Sequence, residues 1–560
     1  MTPESMEIST SPSAGVEIPE LLPVTSPLII GGGIAGLMAA VHLAERGLKP
    51  LVLEADPDRP GGRLKGGPTV EIEHNGQTWR FPGEHGVHGI WSPYHNFQAA
   101  LARHNLRPMF VPAREETWIF GRGRTVRKAA IGSAIRHSLV PAPFHYLHLF
   151  LRPRFLNILT LRDLASMFRV FGGLMSAMAI DPIAEQKSLR GLSLADFTAG
   201  WSPTLASFFA GLVRSALAAH PKDVPASGFI AFLRFYTLLR RDAWAFSYLP
   251  GSGGECVSEP LVALVQRLGG QVRLGARVVE LQQRSRGAEE QGSRGEDQES
   301  RLKSGLLEGE PGWQVTVQAD GQTYSIKAGR VILAVDAPAA RKLLQESPAT
   351  AEAAARLRFP SGVPTAIIRL WFKVKPKAIA EAGIYTGDFV MDNFFWLDRL
   401  QTAYAEWSRA TGGSAIEMHI YGPPELLAQP DASLLARVLI DTYRVFPELR
   451  GNLLHSRLLR NEATHTLFSV GEPGEHLGIE TPWPNLFACG DWVYHPAPAL
   501  YLERATTTGI AAANAVLSSL GLEPWPLLPH PQPEWLAGKM ERGLRGLRAR
   551  MLRRKKSSAH

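Results

Sequence analysis

The sequence of 560 residues contains very little cysteine and no long hydrophobic run. Only Cys256 and Cys489 occur, so neither a disulfide scaffold nor a zinc site of the Cys-x-x-Cys type is available. No stretch reaches the roughly 18 uninterrupted apolar residues that a membrane-spanning helix needs. Residues 1–23 lack the basic and apolar regions of a secretory signal and predict a disordered leader. We therefore expect a cytoplasmic protein that is not secreted.

Acidic residues are outnumbered by basic ones, which gives a net charge of +8. Much of this charge lies in residues 535–556, which read WLAGKMERGLRGLRARMLRRKK. Their apolar side chains recur at helical spacing with lysine and arginine between them, which is typical of a basic amphipathic helix on an anionic membrane surface. A solvated basic tail is the alternative interpretation. No nucleic-acid reading motif accompanies the charge, so we expect no nucleic-acid partner.

A glycine-rich turn near the start of the chain is the strongest motif. An apolar strand pattern at residues 27–30 runs into Gly31-Gly32-Gly33-Ile34-Ala35-Gly36, and a second strand pattern ends at Glu54. Gly31 permits a tight turn, Gly33 admits a pyrophosphate, and Gly36 lets the following helix, opened by Ile34 and Ala35, approach the strand. Glu54 can accept hydrogen bonds from a ribose. The pattern predicts a dinucleotide site, with NAD and FAD both open.

Two further elements bear on the same site. Residues 61–63 form a Gly-Gly-Arg turn, and residues 486–491 read LFACGD, which places Asp491 directly after a buried strand and Gly490. A helix pattern opens near Glu503 and Ala505, and its N-terminus can face a phosphate or a developing negative charge.

The middle of the chain predicts the substrate-binding part. Residues 101–248 are rich in leucine and phenylalanine at helical spacing and predict a mostly helical cap over an apolar cavity; an ordinary hydrophobic core is the alternative. Strand patterns at 366–374, 389–396 and 415–421 predict an antiparallel sheet. The polar residues 282–310 predict an exposed loop or disordered insertion.

The motifs together resemble the superfamily of FAD-dependent amine oxidases and phytoene desaturases. The glycine turn with Glu54, the Gly62-Arg63 turn, the strand at Val278, the strand 331–335 and Gly490-Asp491 follow the family's order along the chain. The segment 84–89, EHGVHG, and residues 502–505, LERA, are most similar to carotene desaturases of the zeta-carotene desaturase and isorenieratene synthase type. Arg504 departs from many amine oxidases, which have glycine there, and leaves its flavin-ring contacts open.

The resemblance implies an α/β fold with a discontinuous, Rossmann-like FAD-binding domain, into which an α+β substrate domain with its helical cap is inserted. The expected parts are a leader at 1–23, the FAD-binding domain at 24–100, 250–340 and 475–520, the substrate domain at 101–249 and 341–474, and the basic tail at 521–560.

The resemblance also implies cofactor contacts. Arg63 is expected near the pyrophosphate, Val278 at the adenine and Asp491 at the ribityl or phosphate region. The remaining implied cofactor-binding residues come from the turn and helix motifs already described: Gly31, Gly33, Ile34, Ala35, Gly36, Glu54, Gly62, Gly490, Glu503 and Ala505.

The expected activity is removal of a hydride from a carotenoid or related isoprenoid, since flavin supplies that chemistry and the protein supplies an apolar site.

His85, His88, Trp492 and Tyr494 are candidates for positions near the flavin ring, and structural roles are their alternative. No metal is expected. A flavin amine oxidase or a flavin-dependent carotenoid isomerase are the alternative functions. The electron acceptor, quinone or oxygen, stays open.

Overall fold

The computed structural model describes residues 26–284 and 312–557. The expected leader at 1–23 and nearly all of the polar insertion at 282–310 lie outside the described residues. The strands are Leu28–Ile30, Leu51–Leu53, Gly67–His74, Gln77–Gly83, Gly89–Trp91, Val111–Pro112, Glu116–Arg122, Thr125–Ala130, Phe246–Tyr248, Gln271–Arg273, Arg277–Arg284, Gly312–Ala319, Gln322–Ala328, Val331–Leu333, Gly362–Phe372, Ala382–Gly387, Asn393–Trp396, Ser414–Ile420, Leu453–Thr466 and Leu486–Ala488. The α-helices of eight or more residues are Ile34–Ala44, His95–Arg103, Leu161–Ala179, Pro203–Leu217, Ala226–Leu233, Glu259–Arg267, Ala337–Glu346, Thr402–Thr411, Asp431–Val445, Tyr501–Ser519 and Trp535–Ser557.

A five-stranded parallel sheet joins segments that are far apart in the sequence. Its spatial order is Gln271–Arg273, Leu51–Leu53, Leu28–Ile30, Val331–Leu333 and Leu486–Ala488. Each strand is only three residues long, and the three central strands are completely apolar and buried. Such continuous apolar runs are typical of parallel strands that are covered on both faces.

The helix after the glycine turn, Ile34–Ala44, packs against the helix Tyr501–Ser519 near the other end of the chain. At Gly509 a Cβ atom would lie 2.4 Å from the carbonyl oxygen of Ala35. At Gly36 it would lie 2.0 Å from the carbonyl oxygen of Gly31. No side chain fits at either position, so glycine is what permits the two helices and the first strand to approach so closely.

A seven-stranded mixed sheet forms the second layer of the molecule. Its order is Leu453–Thr466, Gly362–Phe372, Ser414–Ile420, Asn393–Trp396, Ala382–Gly387, Glu116–Arg122 and Thr125–Ala130. All neighbours are antiparallel except Ala382–Gly387 and Glu116–Arg122, which run parallel. Each of the strands expected at 366–374, 389–396 and 415–421 overlaps a strand of this sheet, although residues 389–392 lie outside it.

The prediction of a mostly helical block over 101–248 is wrong for residues 116–130, which form a β-hairpin on the edge of this sheet. The residue types of this segment explain why it forms a hairpin. Thr117 to Phe120 are β-branched or aromatic, which suits a half-buried strand. Gly123, at φ 58°, makes the turn between the two strands.

The remainder of that block, residues 131–244, forms the cap, and here helices dominate. Its buried leucine and phenylalanine side chains join the same hydrophobic core as the glycine-turn helix. A small apolar recess of about 80 Å³ lies among them, lined by residues that include Phe144, Leu147, Val170 and Phe171. Within the part of the chain that the structure describes, no helix has the length and apolar character needed to cross a membrane.

The C-terminal helix, Trp535–Ser557, packs against the cap helix Leu161–Ala179. Met540 and Leu544 contact the main hydrophobic core, whereas Leu547 and Met551 are exposed. Ion pairs tie the helix to the rest of the protein, and among them are Arg234–Glu541, Arg545–Asp181 and Arg548–Glu185. Part of the apolar face expected to meet a membrane is therefore occupied by the protein itself.

We expect Gly509→Ala to destabilise the protein by about 1–3 kcal/mol, because the added methyl group would overlap the backbone of Ala35. The measurement is the urea midpoint of unfolding. Gly543→Ala is the matched control, since this glycine also lies in a helix but a Cβ there would meet no atom within 4 Å. Equal midpoints for the two variants would contradict the assigned contact.

Candidate functional site

The glycine turn has the geometry of an anion-binding corner. Gly31 has φ 108°, and a Cβ there would lie 2.7 Å from the carbonyl oxygen of Ala334. At Gly33, by contrast, a Cβ would meet no atom within 4 Å, so its backbone borders open space. The helix Ile34–Ala44 begins next to this space and has no side-chain cap. Its first N–H groups, which include those of Ile34 and Ala35, are available to a phosphate.

Glu54 lies beside this turn, at the end of the strand Leu51–Leu53. Its carboxylate accepts the backbone N–H of Gly32 at 2.7 Å and that of Asp56 at 2.9 Å. A carboxylate offers about four lone-pair sites, so two such bonds leave acceptor capacity for further donors. Glu54 is only partly buried, which keeps that capacity accessible.

The Gly-Gly-Arg turn is stacked on the glycine turn. The N–H of Gly61 donates to the carbonyl oxygen of Gly32 at 2.8 Å, and a Cβ at Gly62 would lie 3.4 Å from the Cα of Gly33. Both Gly61 and Gly62 have positive φ. Arg63 directly follows this turn, so its backbone lies close to the start of the helix Ile34–Ala44.

Arg63 meets Asp491, which comes from the opposite end of the chain. The two side chains form an ion pair with a distance of 2.7 Å between Nη2 of Arg63 and Oδ2 of Asp491. Thr466 donates a second hydrogen bond to Asp491 Oδ1 at 2.9 Å. Burial alone would raise the pKa of Asp491, but the Arg63 guanidinium outweighs it and holds that pKa below its ordinary value. The acid is therefore ionised at neutral pH.

Val278 lies in the strand Arg277–Arg284, immediately before a β-bulge. Ala276, two residues before Val278, donates its N–H to the carbonyl oxygen of Glu54 at 2.8 Å. The backbone of Val278 is therefore near Glu54 and on the side of the sheet that carries the glycine turn. Its expected contact with an adenine stays a prediction.

Gly490 occupies a conformation that other residues rarely adopt, with φ 142°. Its N–H donates to Thr508 Oγ1 at 3.0 Å, and the Thr508 hydroxyl is within 3.1 Å of its carbonyl oxygen. Thr508 belongs to the helix Tyr501–Ser519, so this double contact clamps the turn that carries Asp491 onto that helix. Ala505 lies half-buried on the first turns of the same helix.

The carboxylate of Glu503 has a different set of partners from the one expected. It is completely buried and accepts the N–H groups of Asn96, at 2.9 Å, and Phe97, at 3.0 Å, together with the amide of Asn96. It thereby caps the helix His95–Arg103. Burial raises the pKa of Glu503 to about 7, although these donors oppose the shift. A cofactor contact for Glu503 stays a prediction.

Arg504, whose role the sequence left open, fastens a loop. Its buried guanidinium donates to the carbonyl oxygens of Val493 and Ala497, both at 2.8 Å, and lies 5.5 Å from the ring centre of Phe468. Burial lowers the pKa of Arg504 to about 10. These bonds hold residues 493–499, which lead from Asp491 into the following helix.

His85 and His88 lie close to the Arg63–Asp491 pair and are neutral. Their rings are parallel within 14°, with centres 6.0 Å apart. Burial, together with the neighbouring charge of Arg63, lowers the pKa of His88 to about 4 and that of His85 well below its ordinary value. His465 joins this group, since burial and Arg63 lower its pKa to about 3.

Several buried polar atoms of this region have no hydrogen-bond partner within the described protein. A buried polar group without a partner is costly unless a ligand or water supplies one. Around Arg63 and Asp491 these atoms are His85 Nδ1, His88 Nδ1, His465 Nε2 and the Tyr501 hydroxyl. Among the described residues, no group of three or more His, Cys, Asp or Glu side chains is placed to hold a metal ion.

The two aromatic candidates have different surroundings. Trp492 belongs to the hydrophobic core beside the parallel sheet, where its Nε1 donates to the carbonyl oxygen of Val335 at 2.8 Å. Tyr494 is half-buried, and its N–H donates to the carbonyl oxygen of Leu477 at 2.8 Å. Trp492 therefore has the structural surroundings that the alternative interpretation expects, while the position of Tyr494 leaves both interpretations open.

Three polar residues that sequence reasoning missed form a chain of hydrogen bonds beside the histidine loop. Glu417 Oε1 is 2.7 Å from His419 Nε2, and His419 Nδ1 is 2.6 Å from the Tyr421 hydroxyl. Arg369 donates to the other oxygen of Glu417 at 2.7 Å. Burial would raise the pKa of Glu417, but Arg369 and His419 lower it to about 2. Glu417 is thus a permanent anion that orients His419.

This hydrogen-bonded chain lies between the histidine loop and the cap. The N–H of Val87 donates to Glu417 Oε1 at 2.7 Å. At the other end, Asn393 bridges the Tyr421 hydroxyl, at 3.2 Å, and Ser215 of a cap helix, at 3.0 Å. A sequence signal for these residues does exist. Glu417, His419 and Tyr421 alternate with apolar residues, and this spacing puts the three side chains on one face of a strand.

The chain is similar to known proteins along most of its length. The family model described as flavin containing amine oxidoreductase matches residues 34–517. The carotenoid phi-ring synthase of Streptomyces griseus is 28% identical over 506 residues, which cover 88% of either chain. That of Chlorobaculum tepidum is 30% identical over 170 residues, covering 30% of this chain and 26% of that protein.

Among solved structures, cyclohexylamine oxidase from Brevibacterium oxydans superposes with a TM-score of 0.60 at 16% identity. The match covers 89% of this chain and 100% of that chain. At this identity the likeness establishes the mixed α/β fold alone.

Proposed function

The chain belongs to the flavin-containing amine oxidoreductase family, and we propose that it is an FAD-dependent oxidoreductase that desaturates a carotenoid. FAD is the cofactor of the family. The observation that carries its placement is the Arg63–Asp491 ion pair, because Arg63 directly follows Gly62, whose backbone packs against Gly33 at the uncapped start of the helix Ile34–Ala44.

The residues around this pair fit FAD. The five-stranded parallel sheet has its strands in the chain order 3-2-1-4-5, as in a Rossmann-like nucleotide-binding domain. The helix N-terminus and Arg63 would hold the pyrophosphate, and Glu54 would accept from a ribose. The unpartnered atoms of His85, His88, His465 and Tyr501 provide donors and acceptors for the remainder of the cofactor.

A carotenoid substrate is supported by two independent observations. Both carotenoid-modifying relatives are named for a ring of a carotenoid. The cap presents an almost purely apolar interior, and apart from the Tyr146 hydroxyl its recess is lined by hydrocarbon and thioether side chains. A lipophilic molecule gains from such a surface, whereas a charged soluble amine would lose its hydration there.

Desaturation removes a hydride and a proton from adjacent carbons, and the chain offers an acceptor for the proton. Bound FAD would take the hydride. We propose that the proton passes to the Tyr421 oxygen while the Tyr421 proton moves to His419 Nδ1. Glu417 then stabilises the imidazolium that forms, as the acid does in other acid–histidine pairs. The electron pair left by the lost proton becomes the new double bond.

The geometry of the relay supports this direction of transfer. Because Glu417 is ionised and can only accept, a His419 ring with a single proton carries it on Nε2, and Nδ1 is then left to accept from Tyr421. Burial raises the pKa of Tyr421 above its ordinary value, so the phenol keeps its proton until His419 can receive it. Arg369 holds Glu417 in place from the other side.

The placement of FAD predicts that Arg63→Met weakens FAD binding about 100-fold, since it removes a charge-assisted contact to a buried anion. Asp491 would be left unpaired in that variant, so the double variant Arg63→Met/Asp491→Asn separates misfolding from cofactor loss. Flavin absorbance of the purified proteins is the measurement, with Arg409→Met, an exposed arginine, as control. A folded double variant with one FAD per chain would refute the placement.

The proposed activity predicts that a carotene bleaches the flavin in a single anaerobic turnover and loses two hydrogens, as read by mass spectrometry. The substrates to test are β-carotene and acyclic lycopene precursors. No electron acceptor is needed in this design. Bleaching by amines but by no carotene would assign an amine oxidase instead. A rearranged carotene of unchanged mass, without bleaching, would assign an isomerase.

The relay predicts that Tyr421→Phe slows anaerobic bleaching about 100-fold or more, while FAD content and carotene binding are unchanged. The substitution removes one hydroxyl and creates no buried charge. Tyr443→Phe is the matched control, because this tyrosine lies in the same domain but outside the site. Bleaching by Tyr421→Phe at the wild-type rate would exclude Tyr421 as the proton acceptor.

A further inference from the structure

The cap helix Leu161–Ala179 exposes an apolar stripe where a surface helix normally has polar residues. Leu161, Leu164, Phe168 and Phe171 recur at three- and four-residue spacing, so they lie on one face. Leu161 is 86% exposed and Phe168 is 69% exposed. Other residues of the helix, among them Val170 and Ala177, are buried in the core. The helix is thus apolar on its solvent side as well as on its protein side.

Neighbouring segments extend the stripe into one surface. Phe171 stacks on Phe144, at the start of the 3₁₀ helix Phe144–Leu151, with ring centres 6.1 Å apart, and that helix ends in exposed Leu151. We call the whole surface the cap patch, and its members are Leu147, Leu151, Leu156, Leu161, Leu164, Phe168 and Phe171. Contiguous exposed apolar side chains of this kind mark an interaction surface.

The charges around the cap patch are almost all positive. Within residues 147–171 the exposed charged side chains are Arg152, Arg154, Arg162 and Arg169. The one acid, Asp163, is buried, and its carboxylate accepts the N–H and hydroxyl of Thr160 in a helix cap. The C-terminal helix lies beside this surface and adds further exposed arginines.

The apolar recess of the cap opens among the same residues. Leu147 and Phe171 are both exposed and part of its lining. Its volume of about 80 Å³ provides space for a few water-sized groups rather than for a whole isoprenoid. The recess therefore connects the cap patch with the interior of the cap without being a complete substrate site.

We propose that the cap patch with its arginine rim docks on the surface of a lipid bilayer that carries anionic headgroups. The apolar side chains would enter the boundary between headgroups and acyl chains, while the arginines pair with lipid phosphates. The protein would then take a lipophilic molecule from the membrane through the cap. This docking is independent of the redox reaction proposed above.

The rim arginines favour a membrane over a second copy of the chain. A symmetric dimer would place this face against itself, so four arginines would meet four arginines, and residues 147–171 contribute no exposed acid to pair with them. The C-terminal helix is the weaker membrane contact, because Met540 and Leu544 are already packed on the protein core. Its role here is to add positive charge beside the cap patch.

The test is co-sedimentation of the FAD-loaded full-length protein with vesicles of phosphatidylcholine and phosphatidylglycerol. We expect Leu161→Ser/Phe168→Ser to weaken vesicle binding at least tenfold, because the serine side chains would no longer bury apolar surface in the bilayer. Ile379→Ser/Ile440→Ser is the matched control, since these isoleucines are similarly exposed elsewhere. We expect this control to bind as the wild type does. Vesicles of phosphatidylcholine alone should bind more weakly than the anionic ones.

Two outcomes would overturn the proposal. One is undiminished binding of Leu161→Ser/Phe168→Ser together with loss of binding by Leu547→Ser/Met551→Ser, which would assign the membrane contact to the C-terminal helix. The other is a wild-type dimer that does not bind vesicles and that Leu161→Ser/Phe168→Ser converts to a monomer. Because no carotene is present, the result stands whether or not the proposed desaturation holds.

Discussion

The structure depends on the close approach of three backbones at Gly31, Gly36 and Gly509. A methyl group at any of these positions would overlap a neighbouring main-chain atom. Because these glycines have no side chains, the first strand, the helix that follows it and the helix near the C-terminus can pack closely together. The parallel sheet can then recruit strands from distant parts of the chain. Everything proposed for the cofactor site rests on this assembly, since Arg63 and Asp491 meet only within it.

Charge in the site is controlled by pairing and by burial. Asp491 keeps its charge because Arg63 compensates it, and Glu417 keeps its charge because Arg369 and His419 do. The histidines near Arg63 are instead held neutral, since burial and a neighbouring cation both disfavour the imidazolium. The site therefore combines fixed anions with histidine rings that stay neutral. This combination suits chemistry in which a cofactor takes the hydride and the protein handles only a proton.

The apolar cap and the polar site are adjacent and have different roles. A lipophilic substrate requires surface that excludes water, and the leucine and phenylalanine side chains of the cap provide it. Asn393 links the cap to the relay through Ser215 and Tyr421, so the polar chain ends where the apolar surface begins. The exposed cap patch continues the same apolar surface to the outside.

The sequence by itself determined the local elements: the glycine turn with its strand and helix, the buried parallel strands, and the basic amphipathic helix at the C-terminus. These depend on short-range patterns of residue type, which a sequence displays directly. It missed the β-hairpin at residues 116–130, which lies among leucine- and phenylalanine-rich segments. It also gave no sign that Glu503 caps a helix far away in the chain. Only the tertiary structure decided which side chains meet. Arg63 with Asp491, Arg504 with the loop it holds, and the Glu417–His419–Tyr421 chain with the cap are contacts between separate elements. Their energies come from burial and charge pairing, which exist only once those elements are packed together.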